Sequence, residues 1–154
     1  MQLAFEKTNG LIPAIIQDAS SGDVLMLGFM NDIAFAETQR THEVVFFSRS
    51  RNRLWKKGES SGHVLKVREI RVDCDADSLL IRVDPIGPGV CHEGYRSCFF
   101  RSIESDGETQ IIEQRTFDPE KVYASQSQAQ EAKSQESKIQ DASIGKSKLE
   151  ESKR

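Results

Sequence analysis

The composition of this chain changes abruptly near residue 118, and that break sets how much of it can fold around a core. Before it, Leu, Ile, Val and Phe recur in short runs separated by turn-forming residues. After it, Pro119 to Arg154 is mainly Ser, Gln, Lys, Glu and Ala, with Val122, Tyr123, Ile139, Ile144 and Leu149 as its largest apolar residues. So sparse a set cannot bury a useful core, and no heptad pattern persists to support a coiled coil. At 154 residues one folded domain is the default. The expectation is a folded unit over residues 1–118 followed by a polar, flexible tail over 119–154.

Within the first part the periodicity is that of strands. Leu11 to Gln17 predicts a strand, with Pro13 near its start or at an edge because it has no N–H to donate. Asp18 to Asp23 predicts a turn around Gly22, and Val24 to Phe29 the returning strand. Asn31 is placed to cap a helix that runs to about Arg40, with Asp32 in its first turn. Glu43–Ser48, Val64–Arg71 and Ser78–Asp84 predict further strands, the second with a bulge at Glu69–Ile70 where alternation slips. Pro85 to Gly89 opens a loop, and Ser97–Ile103 with Thr109–Arg115 predicts a hairpin around Asp106–Gly107.

The formal net charge of −3 argues against a general nucleic-acid binder. No apolar run approaches a membrane span. The first residues lack a basic segment followed by an apolar one, which makes the cytoplasm the expected compartment.

Two clusters carry chemistry. In Asp73–Cys74–Asp75–Ala76–Asp77, an extended backbone would put the three carboxylates on one face and Cys74 on the other. Three crowded carboxylates repel unless cations or water compensate them, so the segment is either a Mg²⁺ site or an acidic, water-exposed turn. Cys74, Cys91 and Cys98 are the only cysteines. An odd number in a chain with no secretory signal is poor evidence for disulfides. No Cys-x-x-Cys pair is present, so the thiols are either packed small hydrophobes or dispersed ligands that folding or dimerisation brings together.

The histidines are candidates for proton transfer. His92 ranks first because it adjoins Cys91, His63 second, and His42 a distant third. Arg49, Arg51 and Arg53 would share one face of a strand in a basic run that continues through Lys56 and Lys57. Arginine forks suit phosphate oxygens, so this run reads either as a phosphate-binding surface or as a solvated basic edge. Lys57 and Arg96 are further candidate phosphate contacts, and Ser60 and Ser61 could add hydroxyl and backbone donors.

Four motifs in order resemble the phosphoribosyl-AMP cyclohydrolase family. They are Phe46–Phe47–Ser48–Arg49–Ser50–Arg51, then Leu54–Trp55–Lys56–Lys57–Gly58–Glu59–Ser60–Ser61–Gly62–His63, then Asp73–Cys74–Asp75–Ala76–Asp77, and finally Cys91–His92 with Arg96–Ser97–Cys98–Phe99. The resemblance spans about Gly10 to Arg101. It implies zinc on Cys74, Cys91 and Cys98, with cysteines from both subunits of a homodimer, and Mg²⁺ on Asp73, Asp75 and Asp77. It implies an α+β, strand-rich fold: a compact mixed β-sheet forming a partly closed barrel with a small helix.

The activity that the resemblance implies is hydrolysis of the N1–C6 bond of the adenine ring in 1-(5-phosphoribosyl)-AMP, the third step of histidine biosynthesis. Zinc-activated water would be the nucleophile, with His92 or His63 moving protons. Some related chains fuse this domain to the enzyme of the preceding step. Residues 119–154 are too few and too polar for that, so a separate protein is expected to supply the substrate. Two other classes are a zinc purine deaminase and a noncatalytic zinc-stabilised module for phosphorylated ligands. The deaminase pattern of His-x-Glu plus Pro-Cys-x-x-Cys is absent.

Overall fold

The turn residues fix the strand pairing in the computed structural model, which describes residues 2–124. β1 (Ile12–Asp18) and β2 (Val24–Met30) form an antiparallel hairpin, with Gly22 in the turn at φ 82°. On β1 the burial alternates with period two: Ile12, Ala14, Ile16 and Asp18 point inward. Pro13 is the second residue of β1. Parallel pairing with β6 (Leu79–Pro85) starts only at Ala14, opposite Leu79, so the proline lies beyond that ladder.

β5 (Leu65–Val72) runs antiparallel to β6, giving a four-stranded sheet in the order β2-β1-β6-β5. Val67 pairs with Val83 and Glu69 with Arg82, so Arg68 is the extra residue of a bulge, next to the place where alternation slips.

α1 (Asp32–Thr41) connects this sheet to β3 (Val45–Ser48). Asn31 caps the helix by accepting the Ala34 amide at 2.8 Å, and His42 ends it in the left-handed region at φ 55°. The buried Thr38 hydroxyl donates to the Ala34 carbonyl at 2.9 Å and accepts the Val45 amide at 3.0 Å. That side chain therefore joins the helix to β3. β3 pairs with β4 (Arg53–Lys56), and Phe46 on β3 is buried in the core beside Ile12, Ile16, Leu25 and Met30. Burying a phenylalanine of this kind contributes about 1.5–3 kcal/mol. Gly28 on β2 makes room for it, since a Cβ there would collide with the Phe46 ring.

The partly closed barrel is not formed. Among the described residues the four-stranded sheet is open, with β2 and β5 as its edge strands, while β3–β4 and β7–β8 are separate two-stranded sheets. The insertion of α1 between β2 and β3 breaks the continuous ladder that closure requires, and only an isolated Glu43–Lys66 bridge joins the approach to β3 with β5. The α+β, strand-rich description stands.

Two other expectations change. Arg49 and Arg51 lie in the turn between β3 and β4, and Arg53 begins β4, so the three arginines share no strand face. The last hairpin is shorter than expected: β7 (Arg101–Ile103) pairs with β8 (Thr109–Ile111). The reason lies upstream, where Ser97 and Cys98 bond instead to the backbone of β2.

The chain divides into two units, Met1–Pro119 and Glu120–Arg154. Of the second, residues 120–124 are described and are helical. The flexibility expected of the tail falls mainly on residues 125–154, which lie outside the described residues.

Candidate active site and metal centres

The acidic segment is the turn between β5 and β6, not an extended strand with Cys74 on the opposite face from the carboxylates. The β5–β6 hairpin must reverse within it, and Ala76 takes φ 62° to do so. The Asp73 carboxylate stabilises the reversal by accepting the Asp77 amide at 3.0 Å and the Ser78 amide at 3.1 Å. Desolvation opposes ionisation of Asp73, but these amides outweigh it and hold the carboxyl below its usual range.

The turn still gathers the three carboxylates: one oxygen from each of Asp73, Asp75 and Asp77 lies within 4.8 Å of the others. Hard carboxylate oxygens in that arrangement fit a cation such as Mg²⁺. Lys7 donates to the Asp75 carbonyl at 2.7 Å and stands 3.6 Å from its carboxylate. Cys74 is exposed on the same turn.

Cys91 and Cys98 belong to a second feature, the loop that leads into β7. Cys91 is buried, and its amide donates to the Tyr95 carbonyl at 3.1 Å. The Ser97 hydroxyl donates to the Val24 carbonyl at 2.8 Å, and the Cys98 amide to the Leu25 carbonyl at 2.8 Å. The two thiols interact. Desolvation first, then the charge of Cys91 and a hydrogen bond with it, push the Cys98 thiol up to about 12. Cys98 is exposed as a whole residue, so this desolvation reflects the protein packed around its sulfur.

Lys57 faces the pair. It is 5% exposed, and burial pulls its pKa down while the charges of Cys98 and Cys91 oppose that pull. Two adjacent sulfur ligands fit zinc, whose binding would displace the thiol protons. Cys74 does not join them within one chain. Among the described residues, the only group of three potential ligands that closes is the aspartate triad. The expected three-cysteine set is therefore incomplete in a single chain.

The other candidates are dispersed. His92 is exposed beside Cys91. His63 is half-buried, its ring meeting Phe117 edge-on at 4.7 Å and packing over Gly87. His42 is the left-handed cap of α1. The Arg49 guanidinium lies 3.8 Å from the Phe29 ring centroid. With Ser48, Ser50, Phe47 and Trp55 it lines an open cavity of about 340 Å³. Arg51 occupies the same β3–β4 turn, its amide donating to the Ser48 hydroxyl at 3.3 Å. Ser60 and Ser61 lie in the turn after β4, where the Ser61 hydroxyl accepts the His63 amide at 3.2 Å.

Two candidate phosphate contacts have other partners. Lys57 is turned toward the thiols, and Arg96 donates to Asp18 at 2.6 Å. Asp18 is the residue that sequence reasoning missed, because its position favoured a turn role and nothing local signalled a partner at Arg96. The cavity-lining roles of Phe29 and Trp55 likewise depend on packing between β2, β3 and β4.

The phosphoribosyl-AMP cyclohydrolase profile matches residues 26–100, which include the β3–β4 turn, the acidic turn and both loop cysteines. A protein of that description from Solibacter usitatus is 54% identical over 127 residues, covering 82% of this chain and 100% of its own length. Another from Desulforapulum autotrophicum is 53% identical over 123 residues, covering 80% and 98%. A third from Methanosarcina barkeri is 51% identical over 122 residues, covering 79% and 91%.

The chain belongs to the phosphoribosyl-AMP cyclohydrolase family.

It is an enzyme of the cyclohydrolase class, and its family match includes both candidate metal-binding features. The acidic turn offers oxygen ligands and the cysteine loop sulfur ligands, with His92 adjoining the latter.

Proposed function

We propose that this chain hydrolyses the N1–C6 bond of the adenine ring in 1-(5-phosphoribosyl)-AMP, opening the purine ring in the third step of histidine biosynthesis. The observation that carries this reading is 54% identity to a phosphoribosyl-AMP cyclohydrolase across that protein's full length.

In this reading Cys91 and Cys98 bind zinc together with the partner subunit's Cys74. The incomplete pair in one chain and the exposed Cys74 support a homodimer. Exposed Phe99, Ile103, Ile111 and Ile112 offer apolar surface for such a contact. Zinc bound there would supply Lewis-acid activation of water near neutral pH. The buried Lys57 places its ammonium group beside the sulfur pair. Asp73, Asp75 and Asp77 hold Mg²⁺.

The substituent on N1 makes the ring cationic and C6 electrophilic. His92 accepts a proton from the attacking water as its oxygen bonds to C6, then returns a proton to N1 as the N1–C6 bond breaks. One water is consumed, and the product is a formamidino imidazole carboxamide. His63 is the second proton-transfer candidate. Arg49 and Arg51, with Ser60 and Ser61, bind the phosphates of this small-molecule substrate. The catalytic unit is residues 1–118, and residues 119–154 are a polar appendage. No helix among the described residues is long and apolar enough to cross a membrane. The enzyme acts in the cytoplasm without a nucleic-acid partner.

Product identification tests the reaction, using metal-depleted protein restored first with zinc and then with Mg²⁺. Ring opening without ammonia is expected. Ammonia release would replace this reading with purine deamination, and binding without turnover would replace it with a noncatalytic module.

A further inference from the structure

We propose that Asp18 is a positioning residue for the cysteine loop: through Arg96 it holds Cys91 and Cys98 at the spacing that binds metal. This rests on the zinc reading above.

Asp18 closes β1 and is 2% exposed. Its two oxygens have different tasks. Oδ1 accepts the Ser20 amide at 2.8 Å, the Ser20 hydroxyl at 2.6 Å and the Ser21 amide at 3.3 Å, which shapes the β1–β2 turn. Oδ2 accepts from Arg96 Nη2 at 2.6 Å, a contact between residues 78 positions apart. Turn formation needs only the first oxygen. A buried carboxylate whose second oxygen grips a distant guanidinium has a further role, because burying a charge is costly unless it is paired. Asp23 adds a weaker anchor, with its carboxylate 3.6 Å from Arg96 Nε.

Arg96 sits where the loop is most constrained. Its carbonyl accepts the Val90 amide at 3.0 Å, and the adjacent Tyr95 carbonyl accepts the Cys91 amide at 3.1 Å. These bonds tie the limb carrying Cys91 to the limb leading to Cys98. The following residues, Ser97 and Cys98, bond to Val24 and Leu25 on β2. The Asp18–Arg96 pair thus fastens both cysteine limbs to the β1–β2 hairpin from the side. Loops held only by backbone bonds sample several spacings, whereas metal affinity depends on partners that orient the ligands.

The test measures zinc affinity of the full chain by chelator competition and records the thiolate-to-metal charge-transfer band after Co²⁺ substitution. Asp18→Asn preserves the shape of the side chain but removes its charge. It is expected to weaken zinc binding about 10–100-fold and to alter the Co²⁺ band. Arg96→Gln should do the same, and Arg96→Lys should recover part of the loss because a point charge still reaches Asp18. If Asp18→Asn does not fold, Arg96→Gln decides, since Arg96 is half-exposed and its loss leaves the β1–β2 turn bonds intact.

Wild-type zinc affinity and an unchanged Co²⁺ band in folded Arg96→Gln would overturn the positioning role alone. Wild-type protein that binds no zinc through thiolates would overturn the zinc reading, and this inference with it.

Discussion

The acidic turn and the cysteine loop gather candidate metal ligands at different scales. Asp73, Asp75 and Asp77 lie within five consecutive residues, and one hairpin reversal brings their oxygens within 4.8 Å of one another. Two amide bonds to the Asp73 carboxylate help to hold that reversal. The sulfur set is distributed. Cys91 and Cys98 meet where their loop folds back on itself and is fastened to β2, while Cys74 remains on the acidic turn. A site made within one turn belongs to a single chain, whereas the proposed sulfur site would be completed by a second copy. The two sites should therefore respond differently to mutation, metal and dimerisation.

The largest contrast is expected at the cysteines. Cys91→Ser should abolish stoichiometric zinc binding and lower turnover by about 10⁴-fold. Metal analysis and kcat measured together check this, and retention of both would remove Cys91 from the ligand set. His92→Ala should lower kcat by about 10²–10³-fold while zinc stays bound. Its pH–rate profile should lose one limb, and an unaltered profile with normal turnover would exclude His92 from proton transfer.

Asp75→Asn should act on the other site alone, shifting the Mg²⁺ activation midpoint upward about tenfold with zinc content unchanged. An identical Mg²⁺ titration would remove Asp75 from that site.

The smallest expected effect is on acid stability. Burial opposes ionisation of Asp18, but hydrogen bonds from the Ser20 hydroxyl and the Ser20 and Ser21 amides, with the charge of Arg96, hold its pKa below the ordinary 3.8. A depressed folded pKa stabilises the protein above the unfolded value, and that stability is lost as pH falls from 3.8 through the folded value. Asp18→Asn should flatten the stability profile across this window while costing about 1–3 kcal/mol at neutral pH. Denaturant midpoints at pH 7 and below pH 4 measure both effects, and parallel profiles for the two proteins would contradict the assignment.

The same difference of scale explains what was legible in the sequence. β1, β2 and β5 could be read because alternation and turn residues are local signals, and so could the cap at Asn31. The acidic cluster was visible, but its conformation was not: an alternating Asp pattern suits a strand face as well as a turn, and the pairing of β5 with β6 decides between them. The early part of the last hairpin was misread because the bonds from Ser97 and Cys98 to β2 outcompete strand pairing there. From the sequence, Lys57 reads as a candidate phosphate contact in a basic run. Its amide bonds to the Val44 carbonyl at 3.0 Å, and its side chain is buried near the cysteine pair, a position that no neighbouring residue encodes. The partnership of Asp18 with Arg96 was equally hidden, since it joins the end of β1 to a loop far along the chain.

Subunit mixing tests the divided sulfur site most directly. Cys74→Ser and Cys91→Ser proteins are prepared separately, each expected to lack zinc and activity, then unfolded together and refolded with zinc. A mixed dimer would regain one intact set, with Cys91 and Cys98 from the first protein and Cys74 from the second. Zinc binding and turnover are expected to return only in the mixture. A mixture as inactive and zinc-free as its parents, with mixed dimers demonstrated, would contradict it.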